Sequence, residues 1–212
     1  MGSNLADAIA DLEEQEVLKM VAQRLEAGDE PLSLVEQLRQ GMNIVGERYK
    51  NKEYFLSELI MASEIFKEAA AVIEPRLTKD STPEVLGKVV VGTAQGDIHE
   101  IGKNILAVLL RSAGFEVHDL GVDVAPQTFL HELKETQAPL LGISGLITPS
   151  FEPMKETVQA LENAGLREKV KVIIGGGVTT EWVRQYVGAD AQTLDAMEGV
   201  DLCRKFVKEI RP

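Results

Sequence analysis

The chain has 212 residues, 44% of them hydrophobic and 26% charged, with a formal net charge of -12. Such a length suits one large or two small domains, and the composition is that of a globular protein rather than a disordered one. The negative balance argues against gripping a nucleic-acid backbone, which calls for a basic face, and the single cysteine, Cys203, excludes an internal disulfide and a thiolate metal cluster.

No stretch approaches the ~18–20 continuous apolar residues of a membrane span. The N-terminus shows no secretory signal, and Ala6 stands where a myristoylation signal needs Ser or Thr. A cytoplasmic chain is expected, with neither nucleic acid nor membrane as partner.

Residues 1–77 carry a helical period throughout. Leu5-Ile9-Leu12 and Val17-Met20-Val21-Leu25 form an early stretch broken near Glu13. Ala27-Gly28-Asp29 marks a stop, and Pro31 suits the first turn of the next helix. Leu34, Leu38, Met42, Val45 and Tyr49 share one stripe; Leu59, Ile60, Ser63, Phe66, Ala70, Ile73 and Leu77 share another. The short connection Asn51-Lys52-Glu53 favours neighbouring helices, so the spacing predicts a bundle of four, the first one short. Residues 78–86 have no apolar period and read as a linker.

From residue 87 onward the pattern alternates. Short β-rich runs at Val89–Ala94, Phe115–Leu120, Leu140–Ser144 and Val170–Ile174, with a weak fifth near Ala191–Leu194, are separated by helical segments. Strand–helix alternation predicts a parallel sheet covered on both faces, with a ligand crevice outside the carboxyl ends of the strands. With strand order 2-1-3-4-5, the loops after the first and third strands flank that crevice.

The loop after the first strand reads Gly96-Asp97-Ile98-His99-Glu100-Ile101-Gly102. By spacing alone His99 is either a solvated loop histidine or a metal ligand. Asp97 is either a turn or cap residue or the carboxylate that orients the imidazole, and both roles are compatible. His118 and His131 lack such neighbours and read as bystanders; Cys203 reads as a quiet residue of a C-terminal helix. Ser144-Gly145-Leu146-Ile147-Thr148 ends the third strand with small and hydroxyl residues. Gly175-Gly176-Gly177 follows the fourth, as a phosphate cradle or simply a tight turn. A dinucleotide site does not fit, because the third glycine of that fingerprint is missing and the run follows the wrong strand. A phosphoacceptor aspartate does not fit either, since Val89–Ala94 is too apolar to supply further acidic groups.

Taken together, Asp97-x-His99-x-x-Gly102, Ser144-x-Leu146 and Gly175-Gly176 resemble the signature of the cobalamin-binding domain, and the chain resembles the corrinoid subunits of methyltransferase systems over nearly its whole length. Gly41-Met42-Asn43-Ile44-Val45-Gly46-Glu47-Arg48-Tyr49 with Tyr54-Phe55-Leu56-Ser57-Glu58-Leu59 resembles their helical cap. Gly188-Ala189-Asp190 agrees with the fifth-strand region, although Ala191 and Gln192 then replace a familiar aromatic.

The resemblance implies an α/β chain with a four-helix bundle cap over 1–77, the linker at 78–86, and a flavodoxin-like Rossmann domain with a five-stranded parallel sheet over 87–212. It implies a corrinoid bound base-off, with its own lower base displaced from cobalt by His99, and carrying methylcobalamin when loaded. Asp97 would hold the other ring nitrogen and Ser144 would hydrogen-bond onward to Asp97. Gly96, Ile101, Gly102, Leu146, Thr148, Gly175 and Gly176 would complete the cofactor contacts. Tyr49, where phenylalanine is more familiar, and Leu56 would lie over the methyl face.

A methyl carrier of this kind, without turnover of its own, implies a donor-specific methyltransferase, an acceptor methyltransferase using tetrahydrofolate or a thiol coenzyme, and a reductive activase. Two other cobalamin classes share parts of the pattern. A cobalamin-sensing regulator normally adds a DNA-binding head, whereas the small subunit of an adenosylcobalamin mutase lacks the helical half.

Overall fold

The computed structural model describes residues 4–76 and 85–210, which fall into two compact units. One is helical and drawn from Met1–Glu84 with Ser112–Gly114; the other mixes strands and helices and is drawn from Val85–Arg111 and Phe115–Pro212. Most of the expected linker, together with Leu77, lies outside the described residues.

The helical unit contains α1 (Leu5–Ala10), α2 (Glu14–Glu26), α3 (Pro31–Lys50) and α4 (Leu56–Ile73). Asn4 Oδ1 opens α1 by accepting from the Asp7 N–H at 2.9 Å. The break expected near Glu13 is present, with Leu12 at a φ of 62°. Gly28 at φ 90° follows the end of α2, and Pro31 opens α3 where a missing N–H costs nothing. Leu34, Leu38, Met42 and Val45 are buried, as the stripe predicts. On α4 the buried face differs from the expected one. Ile60 is exposed, and Ala62, Ile65 and Ala69 join Leu59 and Ile73 inside, which keeps the three- and four-residue steps of one helix face. The carbonyl end of α1 is tied to the α3–α4 corner. Arg48 Nη1 donates to the Ala10 carbonyl at 2.6 Å and to Asp11 Oδ1 at 2.7 Å, and Tyr54 OH donates to the same carbonyl at 2.7 Å. These donors satisfy acceptors that a helix end otherwise leaves bare.

The second unit is built on β1 (Lys88–Thr93), β2 (Glu116–Asp119), β3 (Leu140–Ser144), β4 (Lys171–Gly175) and β5 (Ala191–Thr193). They pair in parallel in the order β2-β1-β3-β4-β5. Interleaved are α5 (Ile101–Ser112), α6 (Pro126–Thr136), α7 (Phe151–Asn163), α8 (Glu181–Val187) and α9 (Ala196–Ile210). Alternate strand residues serve opposite faces. Val90, Leu141, Ile143, Val172 and Ile174 pack with Phe129, Met154, Val158 and Val183 of α6–α8 in one cluster, while Val89, Val91, Leu140 and Ile173 are also buried. Apolar runs buried on both faces are what a covered parallel sheet requires. Gly92 belongs to that packing, since a Cβ there would come within 2.7 Å of the Phe129 ring. Because the chain passes from β1 to β2 on one side and to β3 on the other, the crevice opens between the carboxyl ends of β1 and β3. Among the described residues, no helix is long and apolar enough to cross a membrane.

Candidate functional site

Thr93, Ser144, Gly175 and Thr193 stand opposite one another in the register at the carboxyl ends of four neighbouring strands. Small and hydroxyl side chains in one row leave the sheet edge open. Beyond it, the β1 loop is stitched to two others. The Ala94 N–H donates to the Ser144 carbonyl at 2.9 Å, and the Val124 N–H, from the loop after β2, donates to the Thr93 carbonyl at 3.0 Å.

Asp97 is the centre of this stitching. Its side chain is 0% exposed. Oδ1 accepts from the His99 N–H at 3.0 Å and lies 2.7 Å from His99 Nδ1; Oδ2 accepts from the Leu146 N–H at 2.6 Å and the Ile147 N–H at 3.3 Å. Burial pushes the carboxyl pKa up. The Leu146, His99 and Ile147 amides, with the imidazole, outweigh it and hold the group below its ordinary value. An ionised Asp97 facing Nδ1 favours the neutral tautomer that carries its proton on that nitrogen and leaves the lone pair on Nε2. The His99 side chain is 51% exposed. It therefore presents a single nitrogen donor to the outside. Thr93 Oγ1 secures the same loop by donating to the His99 carbonyl at 3.0 Å.

The hydrogen bond expected from Ser144 to Asp97 is not formed. Ser144 ends the strand, and the chain turns at Gly145 so that the next two backbone amides occupy Asp97 Oδ2 instead. The remaining expected residues of this unit do gather at the carboxyl edge. Gly96 (φ 82°), Ile101 and Gly102 lie on the loop and the first turn of α5. Leu146 and Thr148 follow β3, and Gly175 and Gly176 end β4. The β3 and β4 ends meet backbone to backbone. The Gly145 N–H donates to the Gly175 carbonyl at 2.9 Å, and a Cβ on Gly176, whose φ is 107°, would collide with the Gly145 carbonyl. Thr179 Oγ1 closes the glycine turn by donating to the Gly176 carbonyl at 2.9 Å. Tyr49 and Leu56 belong to the helical unit, half-buried at the end of α3 and the start of α4 beside the exposed Phe55.

Two features test the fit of a corrinoid. Among the described residues, no group of three or more His, Cys, Asp or Glu could hold a metal ion. One imidazole cannot retain a bare ion, but it suffices for a metal whose other positions are filled by its own macrocycle. Gly102 supplies the second: it has no positive φ, and a Cβ there would meet nothing within 4 Å. Neither backbone nor packing asks for glycine, whereas a large flat molecule lying close to α5 would. Ile98 and Ile101, 73% and 69% exposed, offer it apolar surface. The residues fit such a group.

The B12 binding domain family matches residues 87–201, and a second B12 binding domain family matches residues 3–74. The chain belongs to the B12-binding corrinoid proteins. As such it is 38% identical, over 204 residues covering 96% of this chain and 95% of the relative, to the dimethylamine corrinoid protein of Methanosarcina barkeri. A cobalamin-binding protein from Desulfitobacterium hafniense superposes with a TM-score of 0.77 at 38% identity, covering 95% of this chain and 96% of that one. The methanol:cobalamin methyltransferase complex of Methanosarcina barkeri superposes with a TM-score of 0.87 at 28% identity, covering 96% of this corrinoid protein and 78% of the matched chain.

Sequence reasoning missed several residues around the site. Lys103, 4% exposed on the first turn of α5, lies 2.7 Å from both carboxylate oxygens of Asp119 at the end of β2 and donates to Asn104 Oδ1 at 2.6 Å. Asp123 binds the Gly96 N–H. Gly121-Val122-Asp123 carried only a turn-like composition, a weak signal for such a contact. His118, expected as a bystander, sits between Glu116 and Glu132 at 2.8 and 3.0 Å, and Cys203 is buried on α9.

Proposed function

We propose that this corrinoid protein is a cytoplasmic methyl carrier. One methyltransferase loads it from a small methylated donor, and a second unloads it onto an acceptor such as tetrahydrofolate or a thiol coenzyme, with a reductive activase restoring the reduced cofactor. The observation that carries the reading is the His99–Asp97 pair: a half-exposed imidazole whose Nδ1 is held by a buried carboxylate. When bound, the corrinoid supplies a cobalt that accepts a methyl group and gives it up again.

The chain's own residues do the rest. His99 Nε2 would hold the metal in place of the cofactor's own base, and Asp97 would keep the imidazole in the tautomer that makes this possible. The Leu146 and Ile147 amides keep Asp97 ionised. Ile98, Ile101 and Leu146, all exposed, would exclude water from one side of the corrin ring, and Gly102 would leave it room. Ser144, Thr148, Gly175 and Gly176 border the crevice that would receive the cofactor's tail. The names of its relatives make methylated amines, dimethylamine foremost, and methanol the first donors to assay.

Reconstitution with hydroxocobalamin, followed by absorbance, tests the ligand. The wild type is expected to show imidazole on cobalt, and His99→Ala to lose that signature and bind the corrinoid more weakly, by at least the ~10-fold that loss of an outer partner of a ligand costs. Identical spectra for both would remove His99 as ligand. Incubating the reduced, loaded protein with a donor methyltransferase and isotopically labelled dimethylamine or methanol tests the carrier role. Protein that retains corrinoid but never acquires label from any donor of these classes counts against it.

A further inference from the structure

We infer that Asp123, on the loop after β2, is a positioning residue that sets the aim of the His99 imidazole; the inference rests on His99 being the cobalt ligand. Asp123 Oδ1 accepts from the Gly96 N–H at 2.7 Å, and the Asp123 N–H donates to the Asp97 carbonyl at 2.9 Å. One residue thus holds the backbone at two consecutive positions just before His99. The orientation of the Gly96–Asp97 segment decides where the Asp97 carboxylate goes, and that carboxylate lies 2.7 Å from His99 Nδ1. Asp123 itself has a φ of 54°, a left-handed conformation that aspartate and asparagine tolerate better than most residues. A non-glycine residue in that region, bonded to the loop of a ligand, fits a constraint serving a site.

The course of the β2 loop does not depend on this carboxylate. Backbone bonds already fasten it to β1, from the Leu120 N–H to the Val91 carbonyl at 2.9 Å, the Thr93 N–H to the Gly121 carbonyl at 2.9 Å, and the Val124 N–H to the Thr93 carbonyl at 3.0 Å. The Gly121 N–H is taken by Asp119 Oδ1 at 3.0 Å. The Asp123 side chain reaches onward to the loop that bears His99.

Two substitutions separate aim from fold. Asp123→Gly keeps the left-handed backbone and removes the carboxylate; Asp123→Asn keeps both the backbone preference and an oxygen acceptor. The first readout needs no corrinoid: ¹⁵N NMR of the His99 imidazole in the cofactor-free protein reports which ring nitrogen carries the proton. Asp123→Gly is expected to melt near the wild type yet to lose the single Nδ1-protonated tautomer. Hydroxocobalamin should bind it about tenfold more weakly, the low end for loss of an outer partner of a metal ligand. Asp123→Asn should restore both. Wild-type imidazole resonances and wild-type binding in Asp123→Gly would overturn the inference. So would failure of that variant to fold, because the carboxylate would then serve the fold. His99→Ala run alongside separates the two claims: an unshifted spectrum there sinks the ligand itself, whereas a shift there with wild-type imidazole resonances and binding in Asp123→Gly sinks only the role of Asp123.

Discussion

Helices α3 and α5 each carry a glycine where alanine would make the better helix, and they do so for opposite reasons. Gly41 of α3 lies against α1, where a Cβ would collide with the Ile9 side chain and the Ala6 carbonyl. Gly102 of α5 would meet nothing at all. The first glycine is explained from within the chain. The second has no such explanation within the chain, and the proposed corrinoid supplies one.

Enlarging each glycine puts the contrast to work. Gly41→Val should destabilise the helical unit the most, by about 3 kcal/mol, the upper range for overpacking a tight contact. Urea unfolding measures it, and a loss within error of zero would show that the α1–α3 contact is not close. Gly102→Leu should leave unfolding unchanged or slightly improved while weakening corrinoid binding about tenfold, or ~1.4 kcal/mol. Destabilisation without a binding defect would reverse the assignment. The smallest effect belongs to Cys203, which sharpens the comparison by reporting on the α/β unit alone. Burial pushes its thiol up to about 12, so at pH 8 the folded protein should react with a thiol reagent far more slowly than the unfolded chain. Fast labelling of the Gly102→Leu protein would mean that its binding defect comes from unfolding.

Much of the architecture was legible because its signals are local. The strand over Leu140–Ser144 follows from a short apolar run, the one near Ala191–Leu194 from a weaker β-rich stretch, and the α2 stop follows from Gly28. The site was legible in its residue types but not in all its bonds. Asp97 meets Leu146 and Ile147 across some fifty positions of chain, and the donors are backbone amides, which every residue but proline possesses. No side-chain pattern marks them, and the bond that the family resemblance implies for Ser144 is one the strand end does not make. Asp123 escaped notice for the same reason: a turn aspartate declares its conformation and not its distant partner. On α4, the expected stripe and the buried one differ by a small rotation about the helix axis, because Ala62 and Ala69 look unremarkable beside Ile60.

The buried Asp97 joins loops from three strands, through its own chain after β1, the Asp123 amide after β2 and the Leu146 amide after β3. A histidine seated on such a mount has little freedom to follow whatever it touches. Contact at Nε2 should therefore be made or broken over a narrow range of separation, with the stiffness of the sheet behind it. The pliant part of a working cycle would then have to lie elsewhere than in the His99 loop.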